Sequence, residues 1–490
     1  MKRRKAIQRL GWGLTAGLVV PSWLSSCKKD DDPQPNTGPT VAIIGAGAAG
    51  LYTADILKAQ GYNVVIYEAA ERMGGRVRSL KTSDKPTAAL YLNSQTELSS
   101  DYPNELGAEQ VLGSDSVWGK MVTDLKLVTG NITSGTTDNY FLDNALADAA
   151  QAAADADFIA AQNFFNTLST YSGPHGSVQD AITAAGLSPR THNILNAWIG
   201  NKYGTSNDRL GIAGLAEGLA LRSRNNIIQT ITDNPMQDAL LSRFSQVADN
   251  VQLNSVIKAI NYSSDKITIN GQNTLNGEPF TTDVDKVVVT VPVSVLKAGD
   301  IAFTPGLTSE KTAALANMAM DATIRVLIDF KINFWGATSG FLYGGTKGPE
   351  YFNSGALRSE FSKTLSITVG GAQAVTLSGM GKDAIPALLA ELDTIYAGKA
   401  SLNVRKDLDD KNPNIIAVIQ DWSKEPYIRG GAAYLKPSGT QQDRVALAKS
   451  LSDRVFFAGE ATDVNGEFGT ISGALLSAQR AAAEVIAKLG

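Results

Sequence analysis

Apolar and polar positions divide the chain into short unbroken runs and longer amphipathic stretches. Residues 41–44 are apolar throughout, the pattern of a strand buried on both faces. Residues 51–60 carry apolar side chains at helical spacing and close on Gly61, and 62–67 reads as a second strand. Residues 81–104 are polar and irregular, which predicts a loop excursion. From 143 to about 224 the period turns helical. There 143–170 is Ala-rich, Gly173-Pro174 interrupts it, and helices are predicted over 178–185, 191–199 and 212–221. A helix starts at 236 and runs towards 249, followed by strands over 251–256, 258–262, 267–270 and 285–291. Further on come a helix over 308–320, strands over 324–330 and 375–379, a helix over 385–396 and a strand over 415–420. A strand from 454 and a closing helix over 474–489 end the chain. This alternation predicts an α/β fold.

The junction of the first strand and helix reads V-A-I-I-G-A-G-A-A-G-L over 41–51. It sets Gly45, Gly47 and Gly50 at G-x-G-x-x-G spacing, with Ala46 and Ala49 between them. Gly45 makes the tight turn, Gly47 lets a pyrophosphate approach the backbone, and Gly50 lets helix and strand pack closely. The helix N-terminus then offers unpaired N–H groups to the phosphates. Glu68 ends the second strand, where a carboxylate accepts from ribose hydroxyls.

Glu68 also opens E-A-A-E-R-M-G-G-R, which ends at Arg76. This stretch resembles the extended signature of the FAD-containing flavin amine oxidase family, the monoamine, polyamine and L-amino-acid oxidases. The likeness continues through E-L-G-A-E-Q-V (105–111), V-V-V-T-V-P-V-S-V-L-K (287–297), R-V-F-F-A-G-E-A-T (454–462) and F-G-T-I-S-G-A (468–474). It implies that Gly75 and Arg76 lie against FAD and that Ala108 lies along the flavin ring. It implies that the backbone at Val256 holds adenine, that Gly459 and Glu460 meet the ribityl or ribose region, and that Thr470 and Ile471, in the Gly469–Gly473 turn that leads into the closing helix, contact the cofactor, with the Ile471 amide facing flavin O2. Glu109 either faces the substrate or is an exposed acid on a strand–turn.

Several positions depart from the family's pattern. Where a family lysine holds a water against flavin N5, this chain has Arg325. An arginine donates hydrogen bonds but is no base near neutral pH. Arg325 therefore holds the water by hydrogen bonds alone, binds an anion, or pairs with an acid at a strand edge. Trp422 to Tyr427 fits the family's W-x-x-x-x-Y segment, but the two aromatic walls of the monoamine oxidase cage correspond to Ala432 and Thr470, with Tyr434 two positions on. Gln110 stands where L-amino-acid oxidases have an arginine, so a carboxylate clamp would come from Arg325, Arg429 or elsewhere.

Composition changes the picture in a few places. With 490 residues, 43% hydrophobic and 19% charged, the chain can bury a large core in two or three domains or one discontinuous one. A net charge of −4 without a basic block past the first residues argues against nucleic acid as a partner. His175 and His192 are the only histidines, too few and too far apart for a metal cluster, so no metal ligands are expected. Lys2, Arg3, Arg4, Lys5 and Arg9 precede a short apolar core over 10–24 that ends in L-S-S-C. This resembles a bacterial lipoprotein signal with Cys27 as the lipidated residue, and Arg3-Arg4 partly fits a twin-arginine signal. The resemblance implies an exported protein, periplasmic or on the cell surface, held to a membrane by a lipid. Cys27 is also the sole cysteine, which excludes an intramolecular disulfide and a cysteinyl bond to FAD near Gly430-Gly431.

The expected organisation is a discontinuous, doubly wound, Rossmann-like FAD domain with an α+β substrate domain. A signal over 1–26 and a linker over 27–38 precede FAD-domain parts at 39–112, 231–304 and 451–490, with substrate-domain parts at 113–230 and 305–450. The expected activity is FAD-dependent oxidation of a small amine or amino acid to an imine, with oxygen as acceptor and FAD held non-covalently. Two alternatives stay open: a desaturase or oxidase of an apolar isoprenoid or polycyclic substrate, and a surface lipoprotein that binds FAD without turnover.

Overall fold

Five parallel strands form the first sheet. Thr40–Ile44 is its centre, between Asn63–Tyr67 and Lys286–Val289, with Val251–Gln252 and Val455–Phe457 at the two edges. Ala42 pairs with Val65 and Val287, and Val287 in turn with Val455. The strands thus come from three separated stretches of chain, as a discontinuous fold requires. In this computed structural model the described residues are 38–94, 98, 104–358, 363–407 and 413–490. The proposed signal, Cys27 and nearly all of the linker lie outside them.

Both faces of the parallel sheet are covered, which is why its central strands read as unbroken apolar runs. Val41, Ile43 and Val288 face the helices Ala48–Ala59 and Ile471–Leu489, which pack through Leu51, Ala54 and Leu57 against Leu475, Ala478 and Ala482. Ala42, Ile44, Val287 and Val289 face a four-stranded sheet, through Ile257, Ile260, Ile267 and Ile269.

The second large sheet has eight strands. In spatial order they are Leu90–Leu92, Ala417–Asp421, Thr323–Asp329, Thr364–Gly370, Glu350–Asn353, Ser339–Tyr343, Thr137–Leu142 and Ala145–Asp148. Ile324, Val326 and Ile328 point to one face, against Leu377, Leu388 and Leu392 of two helices. Strand alternation therefore sends Arg325 to the opposite face. Antiparallel partners share a face, so Arg325, its partner Thr368 and that residue's partner Glu350 form one cross-strand row.

Four predictions from periodicity give way to local geometry. The expected strand over 251–256 is split: Asn254 turns left-handed (φ 56°), and Ser255–Asn261 leaves for the four-stranded sheet. The expected strand at 375–379 is part of a helix, Gly371–Met380, whose Ala374 and Leu377 face the core, and the strand lies just before it. An apolar run that short fits either period. The predicted helical stretch from 143 begins instead as a hairpin, because Asp143 and Asn144 both take positive φ (54° and 61°) and close a tight two-residue turn. Helix starts only after Asp148, which forms a capping box with Gln151. Finally, the polar 81–104 excursion carries Leu90–Leu92, the edge strand of the large sheet.

Candidate active site

The glycine turn is built by contacts that no side chain fits. Gly45 has φ 109°, and a Cβ at Gly50 would lie 1.9 Å from the Gly45 carbonyl oxygen. A Cβ at Gly47 would meet nothing within 4 Å, because that residue faces open space at the start of its helix. The second glycine motif docks on the first: Gly74 N–H donates to Ala46 O (2.9 Å), and a Cβ at Gly75 would lie 3.4 Å from Gly47 Cα. Glu68 braces both sides of the turn, accepting from Ala46 N–H (2.7 Å) and Ala70 N–H (2.9 Å). Burial raises its carboxyl above the ordinary range, and those hydrogen bonds oppose the rise.

Arg76 and Glu460 join distant stretches of chain in the same way. Arg76 Nη1 donates to Glu460 Oε1 (2.8 Å) and to Gly431 O (2.6 Å). Glu460 also accepts from Ala433 N–H and Gly469 N–H, each at 3.0 Å. The C-terminal helix starts cleanly: Thr470 Oγ1 accepts from Gly473 N–H (3.0 Å) and donates to Glu467 O (2.6 Å).

These parts open onto one cavity of about 1010 Å³. Its wall includes Gly45, Gly47, Ala49, Glu68, Gly75, Arg76, Ala108, Glu109, Val256, Gly459, Glu460, Thr470 and Ile471. Ala46 and Gly50 are behind that wall, inside the turn. The N-termini of the two helices that start at Ala48 and Ile471 border the same space, where they favour anionic groups. Gln110, Arg325, Trp422 and Ala432 also line it.

Tyr434 does not. Its side chain is buried on the far side, with its hydroxyl on Asp321 (2.8 Å) and Arg209 (3.2 Å), so its place as a substrate-contact candidate is corrected. Arg429 is likewise off the wall and pairs with Asp300.

Arg325 is on an inner strand and paired. Its Nη1 donates to Glu109 Oε2 (2.5 Å) and Ser366 Oγ (2.6 Å), and its Nη2 to Gly107 O (2.9 Å). Glu109 is not an exposed acid: its side chain has no exposed surface and also accepts from Ser366 (3.0 Å) and Ser354 (3.1 Å).

Sequence reasoning missed Lys202, Glu350 and Thr368, which line the same cavity. The signal available was a lone acid opening the otherwise apolar and polar-neutral run E-Y-F-N at 350–353.

A parallel sheet with a glycine turn, closed by a distant C-terminal segment and facing a substrate-side sheet across one cavity, defines a nucleotide-cofactor flavoprotein. The chain belongs to the flavin containing amine oxidoreductase family, whose model matches residues 211–486, and an NAD(P)-binding Rossmann-like domain matches residues 43–106. A human lysine-specific histone demethylase 2 is 26% identical over 91% of this chain and 53% of its own length. The chain thus spans between about a third and a half of the length of the histone demethylases it matches. An L-amino-acid oxidase from Siganus canaliculatus is 23% identical over 91% of this chain and 88% of its own. In fold, the chain resembles a putrescine oxidase solved bound to putrescine (TM-score 0.74, 17% identity, 92% of this chain and 100% of that one). It also resembles a cyclohexylamine oxidase from Brevibacterium oxydans IH-35A (TM-score 0.72, 17% identity, 92% and 99%).

The cofactor of this family is FAD, and the residues here fit it: an open backbone approach at Gly47, two helix N-termini and Arg76 share one cavity. With no cysteine among the described residues, FAD is held without a thioether.

Proposed function

We propose that this protein is an FAD-dependent oxidase that converts a small amine to an imine, which hydrolyses to a carbonyl, with oxygen as acceptor and hydrogen peroxide as product. The observation that carries the reading is the single cavity shared by the glycine turn, the C-terminal helix start and the polar face of the eight-stranded sheet. Bound FAD supplies the hydride acceptor. The chain supplies placement and a shielded site. Gly47 and Gly75 keep the backbone open, Arg76 and Glu460 lock the wall, and the Arg325–Glu109 pair fixes a donor-rich surface beside Gly107 and Ala108.

None of those side chains is a free base. An arginine is no base near neutral pH, and Glu109 is covered by Arg325 and two serines. The substrate therefore enters as the neutral amine or loses its proton to water. An amino acid is the finer alternative within this reading.

By sequence alone, residues 1–27 support export and lipid anchoring. No helix of the described residues is long and apolar enough to cross a membrane.

The test is anaerobic mixing of the yellow protein with a panel of amines and amino acids, followed by peroxide detection in air. Bleaching by an amine and stoichiometric peroxide are expected. A flavin-loaded protein that no amine bleaches would overturn the reading in favour of a non-amine substrate or ligand binding alone.

A further inference from the structure

The row that holds Arg325 continues along the sheet to a buried acid. Arg325 pairs with Thr368, and Thr368 with Glu350, so the two charged residues are two strands apart, roughly 10 Å. All three residues line the cavity. Glu350 is 4% exposed. Among the described residues the one charged group paired with its Oε2 is the ammonium of Lys202.

That ammonium sits in a cation box. It lies 4.9 Å from the ring centre of Phe341 and 5.8 Å from that of Tyr343. A second acid, Asp138, is within electrostatic reach of both Lys202 and Glu350 and accepts from Phe341 N–H at 3.2 Å. Two carboxylates therefore act on one ammonium, Glu350 on the cavity wall and Asp138 off it. The Lys202 side chain is 35% exposed while that of Glu350 is 5% exposed, so the lysine is the partner free to leave.

We propose that this box is a subsite for a second alkylammonium group of the substrate, and that Lys202 is its tethered occupant. The substrate is then an amine with another cationic nitrogen roughly 10 Å along the sheet from Arg325, and it binds by displacing Lys202 from Glu350. Lys202 competes with every such ligand, so only an amine long enough for its second cation to reach Glu350 and displace the lysine gains from the subsite. The assignment of substrate class rests on the amine oxidase reading above. The cation subsite does not.

The experiment uses the flavin-loaded protein and a series of α,ω-diamines, each beside the n-alkylamine of equal length. Calorimetry at pH 6, where both amines are protonated and cannot yield hydride, reads binding alone. Steady-state kinetics at pH 9 read turnover. Wild type is expected to bind the best diamine about tenfold more tightly than its monoamine. Glu350→Gln is expected to erase that preference, a loss of about tenfold in diamine affinity. Lys202→Met, which keeps the apolar stem and removes the charge, is expected to tighten diamine binding several-fold. Retained flavin absorbance certifies that each variant folds. The proposal is overturned by a folded Glu350→Gln protein with an unchanged preference, or by a Lys202→Met protein that binds diamines more weakly. If Glu350→Gln does not fold, Lys202→Met decides alone. Diamine preference at pH 6 without turnover of any amine at pH 9 would keep the subsite and sink the reaction, and turnover without preference would do the reverse.

Discussion

The parallel sheet meets the cavity with backbone, whereas the eight-stranded sheet meets it with charged side chains. On the first side, Gly45, Gly47 and Gly50 leave room, and the nearby acids Glu68 and Glu460 are used up in holding one stretch of chain to another. On the second, Arg325, Thr368 and Glu350 present polar groups along one row, each charge set against an opposite one. The first side is therefore limited by space, and the second by charge. A cradle made of backbone binds what every member of a family binds, while a wall of paired charges can be retuned residue by residue.

Three substitutions separate the two kinds of limit. The largest effect is expected for Gly50→Val, since its Cβ would fall 1.9 Å from a carbonyl oxygen and no rotamer relieves a backbone clash. Overpacking of this kind costs about 3 kcal/mol or more, and the purified protein should carry no flavin by absorbance. A Gly50→Val protein that stayed yellow would show that the turn tolerates volume, and the contrast would lose its first half. Next comes Arg325→Met, which leaves the Glu109 carboxylate buried without its cation. Breaking such a pair costs about 3–5 kcal/mol, read by chemical denaturation, and adding Glu109→Gln should recover most of it. If the single variant were as stable as wild type, the second wall would not be governed by charge. The smallest effect is expected for Tyr434→Phe. It loses bonds to Asp321 and Arg209 and should cost about 1 kcal/mol in stability. Because that residue is off the cavity wall, KM for amines should stay as in wild type. A raised KM would place it on the substrate path after all.

The same contrast explains what could be read before folding. The cofactor side was legible because its chemistry is local: Gly45 to Gly50, then Gly74-Gly75, then Gly459-Glu460 are contiguous motifs, and the fold brings them to one wall. The fate of Arg325 was not legible, because its partners Glu109 and Ser366 lie 216 and 41 positions away. Glu350 and Lys202 escaped notice for the same reason: cross-strand register decides which side chains share a row, and no short window of sequence carries register. Secondary structure failed where four or five residues had to choose a period, as at 375–379, or where a two-residue turn such as Asp143-Asn144 hid inside an Ala-rich stretch. Tyr434 was placed near the substrate by counting along the chain, but its strand, Ala433–Leu435, pairs with Met318–Met320 and holds the ring in another core.

The order of strands in the parallel sheet carries a consequence for how the chain is made. Lys286–Val289 is the neighbour of Thr40–Ile44, and Val455–Phe457 covers its other edge. A nascent chain leaving the ribosome thus holds its first strand ready for about 240 residues before the next partner on that side is synthesised, and longer still before the outer edge is capped. Pairings between such remote segments are slow to form. Until the last helix emerges, the half-built sheet exposes apolar edges that a chaperone, or early capture of the flavin nucleotide, would have to shelter.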